Sequence, residues 1–250
     1  MKLSLIFFLM VSLASFSQKG KAKLPSYFGF QFRPVFPTQF IGDPELKLEK
    51  EGFHTNLSQK TGYAFGATVR AGLTKLIAIE TGINYTHRNF NMEMGYADSN
   101  SFASNDWTFI EYDIPVNALF YIQLAEQWYM NASLGAAITF KPTDIKAFHQ
   151  PGGHHYYSQR GLVNRKTGLD INANIGFEFR TEKNGFFYLG GSGRVPFTPL
   201  FTLISDYTYQ GNAIRMYGDV DGSFLAIDFK YFFPIVQNKG VQMNKGPIEQ

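Results

Sequence analysis

The sequence predicts an all-β fold, an eight-stranded antiparallel transmembrane up-and-down β-barrel, from three observations. The first is strict alternation. From Ile110 the apolar set Ile110, Tyr112, Ile114, Val116, Ala118, Phe120 interleaves with Glu111, Asp113, Pro115, Asn117. After Leu124–Gln127 the pattern restarts, with Trp128, Met130, Ala132, Leu134, Ala136, Ile138 and Phe140 on one face. Successive strand side chains point to opposite faces, so each run has one apolar and one polar face. The second is rhythm: connections run long, short, long, short, long, short, long, as short periplasmic turns and longer external loops require. The third is the amino terminus. Lys2, the apolar run Leu3–Leu13 and the small-residue region Ala14-Ser15-Phe16-Ser17 form an export signal.

The boundaries follow in order: residues 1–17 signal peptide, 18–26 a short leader, 27–233 the barrel, 234–250 a polar tail. Strand one shows Phe28, Phe30, Phe32 and Phe36 against Gly29, Gln31 and Arg33; strand two shows Tyr63, Phe65, Ala67, Val69 against Ala64, Gly66, Thr68, Arg70. Strand three sets Ile77, Ile79, Ile83, Tyr85, His87 against Glu80, Asn84, Arg88. The two strands described above follow. Strand six pairs Leu169, Ile171, Ile175, Phe177 with Asp170, Asn172, Glu178, Arg180; the Asn184-Gly185 turn leads to a glycine-rich strand seven, Phe187 to Val195. Strand eight, Phe224 to Phe233, closes the ring. Residues 37–60, 91–106, 141–166 and 198–220 read as loops. Each strand spans roughly 9–13 residues, enough to cross a bilayer when tilted. Trp107, Phe109, Tyr121, Trp128, Phe187, Tyr231 and Phe233 stand where interfacial girdles belong.

Composition agrees. The 250 residues include 26 Phe and 14 Tyr, which favour strands. There is no cysteine, hence no disulfide framework or thiolate site, and the net charge of +3 gives no reason to expect nucleic acid. Mean hydropathy is −0.16, which a barrel tolerates because alternation hides its apolar residues from a sliding window. A secreted sandwich or lipocalin-like barrel is the rival, and would turn the apolar face inward.

With apolar faces toward lipid, the lumen receives Arg33, Arg70, Glu80, Arg88, Glu111, Asp113, Asp170, Glu178, Arg180, Arg194, Asp228 and Lys230. Six are basic and six acidic. An eight-stranded barrel is only wide enough for side chains to fill it, so a balanced ion-pair network plugging the lumen is expected. Glu111 and Asp113 share a face and could work as an acid–base pair, but pairing with arginine is the simpler reading. His87, outward near the external rim, has no serine or acid partner that sequence can name. Lys141, Lys146, His149, His154, His155, Arg160, Arg165 and Lys166 make the third external loop basic. Exposure is the plain reading of its histidines, because their spacing fits no metal motif. Its cations suit anionic lipopolysaccharide phosphates. No nucleotide, calcium or nucleophile-elbow motif is present.

Three segments carry a resemblance: Ile79-Glu80-Thr81-Gly82-Ile83-Asn84-Tyr85, Tyr112-Asp113-Ile114-Pro115-Val116 and Tyr129-Met130-Asn131-Ala132-Ser133-Leu134-Gly135. They resemble the outer-membrane β-barrel family of Bacteroidota, often labelled porin-like or PorT-like. The resemblance implies fold and location in the outer membrane, and no shared catalytic residue or cofactor. The expectation is a non-enzymatic plugged scaffold whose external loops contact a protein partner, a surface ligand or lipopolysaccharide. A narrow pore for small solutes or ions, and an accessory subunit of a secretion or uptake complex, are the alternatives.

Overall fold

The computed structural model describes residues 26–74, 76–96, 101–142, 144–152, 155–181 and 184–234. The signal, most of the leader and the tail beyond Pro234 lie outside them. Thirteen strands follow in order among the described residues: β1 (Tyr27–Phe36), β2 (Glu45–Lys50), β3 (Phe53–Gly72), β4 (Ile77–Tyr96), β5 (Ser101–Gln123), β6 (Trp128–Phe140), β7 (Ile145–Gly152), β8 (His155–Leu162), β9 (Thr167–Arg180), β10 (Phe186–Pro196), β11 (Phe201–Tyr209), β12 (Asn212–Val220) and β13 (Phe224–Phe232). Eight of them close a ring in the order β1-β3-β4-β5-β6-β9-β10-β13, with β13 returning to β1. Every pairing in it is antiparallel. The ring is an up-and-down meander, with β2, the β7–β8 hairpin and the β11–β12 hairpin inserted at one end only.

The opposite end carries the short turns. Leu73 and Thr74 N–H both donate to Ile77 O, Leu124 N–H donates to Trp128 O, and Thr181 N–H donates to Gly185 O. Gly185 has φ +74°, and a Cβ there would meet Phe232 O at 2.0 Å, so the Asn-Gly turn needs glycine for conformation and for space.

The four segments expected to be loops each contain strand instead, and three barrel strands are longer than expected. β3 and β4 run for 20 residues each and β5 for 23. Their far ends, edged by β2, form one wall of a second unit. The other wall is a separate four-stranded sheet in the order β12-β11-β8-β7. Between them lies the largest apolar core of the chain's described part, including Phe53, Leu57, Phe90, Met92, Met94, Trp107, Phe109, Tyr157, Phe201, Leu203 and Tyr207.

Each long strand exchanges its faces on the way. On β4 the inward positions Glu80, Asn84, Thr86 and Arg88 are followed, on the same face, by Phe90, Met92 and Met94, all buried. The outward face changes oppositely, from Ile79, Ile83 and Tyr85 to Asn89, Asn91 and Glu93. On β5, outward Phe102 is followed by Ser104, Asp106 and Thr108 before the apolar run from Ile110 to Ile122 begins. On β3 a bulge between Lys60 and Tyr63 carries the change, shifting the inward set from Thr55, Leu57, Gln59 to Ala64, Gly66, Thr68, Arg70. One sheet is thus inside-out in its lower part and conventional in its upper part.

The apolar band on the lower part is continuous. Phe28, Phe30, Phe32, Phe65, Val69, Ile83, Ile114, Val116, Leu134, Ile138, Ile171, Ile175, Phe177, Leu189, Ile227 and Phe229 all point away from the lumen and are exposed. Trp107, Phe109 and Tyr121, expected at an interfacial girdle, lie instead inside: they share the Glu111/Asp113 face and are at most 5 % exposed. Trp128, Phe187 and Phe233 do stand outward at the short-turn end.

Candidate functional site

The twelve charged lumen residues come from seven of the eight ring strands, one to three from each, while β6 supplies the buried polar residues Asn131 and Ser133, because inward positions repeat at every second residue. They gather into two clusters. Near the short turns, Arg70 donates to Glu80 Oε2 from Nε at 3.0 Å and Nη2 at 2.6 Å, and also donates to Glu178. Lys230 Nζ donates to Glu80 Oε1 at 2.5 Å, and Arg180 donates to Glu178 Oε2 at 3.1 and 2.8 Å. Asn131 Nδ2 completes Glu178 at 2.6 Å. The Arg70 guanidinium lies 4.3 Å from the Phe232 ring centre, and that of Arg180 4.0 Å from the Tyr129 ring centre. Aromatic faces supply favourable electrostatics where water is excluded.

Toward the other end, Arg194 donates to Asp113 Oδ1 at 2.7 Å and reaches Asp170 and Glu111 at 3.9 and 4.0 Å. Arg88 donates to Glu111 Oε1 at 3.0 Å and to Gly222 O at 2.7 Å. Arg33 lies 3.8 Å from Asp228 and 3.9 Å from Asp113. Phe224 is sandwiched near both guanidinium groups, 4.6 Å from Arg88 and 5.6 Å from Arg194. Between the clusters run amides: Gln31 with Asn84, Asn172 with Asn117, and Ser133 Oγ donating to Asn174 Oδ1 at 2.7 Å. All twelve predicted lumen residues are therefore inside the ring, in two clusters within which opposite charges are adjacent. Arg180, by the short turns, is the one of them that is not fully buried.

The space left over is small. A cavity bordered by Gln31, Arg33, Asn84, Asn117, Arg194 and Lys230 has a volume of about 20 Å³, room for about one water. Above it the apolar core of the second unit closes the far end. Phe201 touches Phe90, Trp107 and Phe109, with ring centres at 5.5, 6.3 and 5.4 Å. A Cβ at Gly161 would lie 3.0 Å from the neighbouring Phe201 ring and 3.3 Å from the Trp107 ring of the facing sheet, so glycine leaves room for both. Within this core Thr55 Oγ1 and Ser205 Oγ share a hydrogen bond at 2.8 Å, whereas Trp107 Nε1 and Gln159 Oε1 are buried without a hydrogen-bond partner among the described residues.

The basic third loop is corrected. β7 and β8 pair as a hairpin whose inner face joins the core. Lys141 is not a surface cation: it is buried and donates from Nζ to Pro199 O at 2.8 Å. His155 packs on Tyr209, ring centres 4.4 Å apart, and shares a hydrogen bond with Tyr207 Oη at 2.7 Å. His149 falls in β7, opposite Tyr157, and His154 lies outside the described residues. Lys146, Arg160, Arg165 and Lys166 are exposed. His87 stacks on Tyr63 at 4.8 Å and its Nδ1 has no hydrogen-bond partner among the described residues, so no relay to a serine or carboxylate is assembled. No cluster of three His, Asp or Glu suited to a metal occurs among the described residues.

Sequence reasoning missed the residues that seal the upper unit, Phe53, Phe90, Met92, Tyr157, Phe201, Leu203 and Tyr207. Their signal was present as alternation in Phe201-Thr-Leu203-Ile-Ser205-Asp-Tyr207, diluted by Ser, Thr and Gln on the inner face.

A closed antiparallel ring with an apolar exterior and a charged interior defines a class, the barrels of the outer-membrane type. Comparison with solved structures agrees on fold. The outer membrane protein OprG from Pseudomonas aeruginosa superposes with TM-score 0.52 at 12% identity, covering 86% of this chain and 99% of that chain. The β domain of the Bordetella autotransporter Brka matches with TM-score 0.29 at 7% identity over 83% of this chain and 98% of that one, a likeness too loose to weigh. No family model and no curated protein matches the chain.

Proposed function

We propose that the chain is an integral outer-membrane barrel, closed to solutes and non-catalytic, that holds a rigid β-sandwich outside the cell as a platform for a surface partner. The observation that carries this reading is the exchange of faces along β3, β4 and β5. An exposed belt of large apolar residues around a charged, water-poor interior is unfavourable in water and favourable in hydrocarbon, by about 25 cal/mol per Å² of apolar surface. On β5 the belt runs from Ile110 to Ile122, 12 residue steps. At about 3.4 Å per step and a tilt of about 40°, those steps rise about 30 Å, the thickness of a bilayer core. Above Thr108 the same strand presents polar residues outward, as it must once it emerges into water.

Orientation follows from the turns. The tight turns belong on the periplasmic side, and the sandwich on the external side. The Ile79–Tyr85 and Tyr112–Val116 segments that resemble the Bacteroidota barrels fall within this membrane band, in keeping with the assignment. The closed state has two independent supports, the ion-pair lumen and the dry core above it. A channel would need to breach both.

The test is reconstitution of the purified full chain in planar bilayers and in liposomes. The reading expects heat-modifiable migration and membrane insertion with no conductance steps. Steady ion-selective steps from most inserted molecules would replace the plug with a narrow pore.

A further inference from the structure

Resting on the membrane reading above, we infer that Lys146, Arg160, Arg165 and Lys166 form a site for the phosphates of an anionic glycolipid in the outer leaflet. Phe140 and Leu169 fix the level of the membrane surface here. β6 ends at outward Phe140, whose register partner on β9 is Thr167; outward Leu169 lies two residues deeper. These side chains mark the top of the apolar belt on this side. Directly beyond Thr167 come Lys166 and Arg165, both exposed, in a link held by Lys141 N–H donating to Lys166 O at 2.8 Å. The next step up this side is the outer face of the β7–β8 hairpin, where Lys146 and Arg160 are direct register partners, both exposed. Leu162, two residues from Arg160 toward the membrane, is exposed on the same face.

These cations also lack a counter-charge among the described residues. Like charges directly opposite across an antiparallel pair oppose the pairing. Elsewhere on the sandwich exposed cations have carboxylates: Lys47 has Glu45, Lys60 has Asp106 and Arg215 has Asp206. None of the four cations here has a carboxylate within ion-pair distance among the described residues. The nearby Asp144 accepts Val163 N–H at 2.9 Å, and Asp219 accepts the Thr202 hydroxyl at 2.6 Å. An anion delivered at this height relieves the repulsion. Two cations at the surface and two above it, over apolar side chains, suit a headgroup bearing more than one phosphate whose acyl chains lie along Phe140 and Leu169. Arginine can bind phosphate through two parallel N–H donors.

The experiment places the full chain in nanodiscs of phosphatidylcholine and measures binding of bisphosphorylated lipid A by native mass spectrometry. The comparison lipid is the same glycolipid after dephosphorylation. The variant Lys146→Gln/Arg160→Gln/Arg165→Gln/Lys166→Gln is expected to bind several hundredfold more weakly, at about fivefold per cation. A control variant, Lys47→Gln/Lys50→Gln, removes exposed cations from β2 and is expected to bind as the parent does. Equal binding by the quadruple variant, equal loss in the control, or equal binding of the dephosphorylated lipid overturns the inference. So does complete displacement by millimolar inorganic phosphate, which would make the site one for free phosphate. Failure of the parent chain to enter nanodiscs at all contradicts the membrane reading instead.

Discussion

Glu80 is the place to test whether the lumen is held by paired charges. Its carboxylate accepts from Arg70 at 2.6 Å and from Lys230 at 2.5 Å, and all three side chains are at most 4 % exposed. Replacing it by methionine keeps length and volume roughly constant while removing the charge. Arg70 would retain Glu178, but Lys230 would keep no carboxylate within 4.0 Å among the described residues. Removing one partner of a buried pair costs about 3–5 kcal/mol, because the other charge is left without compensation. Replacing both partners by apolar residues is often neutral. Glu80→Met/Lys230→Met should therefore recover most of what Glu80→Met loses, a coupling of about 2 kcal/mol or more. The assay is guanidinium unfolding in liposomes, followed by fluorescence of Trp107 and Trp128, the two tryptophans of the chain. A double variant as unstable as the single one would refute the pairing argument. Neither variant should conduct, since the cluster around Arg88, Glu111 and Arg194 remains above the altered site.

Other outcomes follow from the upper unit and the turns. Phe201→Ala should remove about 3–5 kcal/mol of packing from the external core; limited proteolysis should then cut the β7–β8 and β11–β12 hairpins while the membrane-protected barrel fragment survives. Asp106 is held below the ordinary carboxylate range, first by the hydrogen bond from Lys60 and then by that from Asn91. Because the folded value is depressed, this pair helps the fold above the ordinary value and stops helping as pH falls through the depressed one; a carboxyl-carbon NMR titration should show the low midpoint, and Lys60→Met should raise it. Gly185→Ala, at a positive φ with backbone 2.0 Å from the new Cβ, should destabilise by more than about 1 kcal/mol, measured by the same guanidinium unfolding.

The lower part of the molecule was legible because one rule, alternation at period two, holds there without interruption. Ile110 to Phe120 and Trp128 to Phe140 could be assigned to faces without structure, and with them the twelve charges of the lumen. The upper part was hidden by the reversal of that rule within single strands. Phe90 and Met92 stand on the same face as Glu80 and Arg88, so extending the pattern from below would have predicted polar residues there. The bulge at Lys60–Tyr63 also shifts the parity of β3, breaking its 20 residues into two apparently unrelated pieces. The position of Trp107 and Phe109 near a strand end suggests a girdle. Their parity, shared with Glu111, was the better guide. Lys141 could not be recognised as buried from sequence, because its partner is the carbonyl of Pro199, 58 residues away.

The change of faces along β5 can be read directly, and the absence of native cysteine makes single-site labelling clean. Spin labels placed one at a time on the outward positions 102, 104, 106, 108, 110, 112, 114, 116, 118 and 120 report collisions with oxygen, which concentrates in lipid, and with a nickel chelate, which stays in water. The account predicts one crossover between Thr108 and Tyr112, with nickel favoured above and oxygen favoured throughout the run to Phe120. Nickel accessibility equal at Ile114, Val116 and Ser104 in reconstituted bilayers would contradict it.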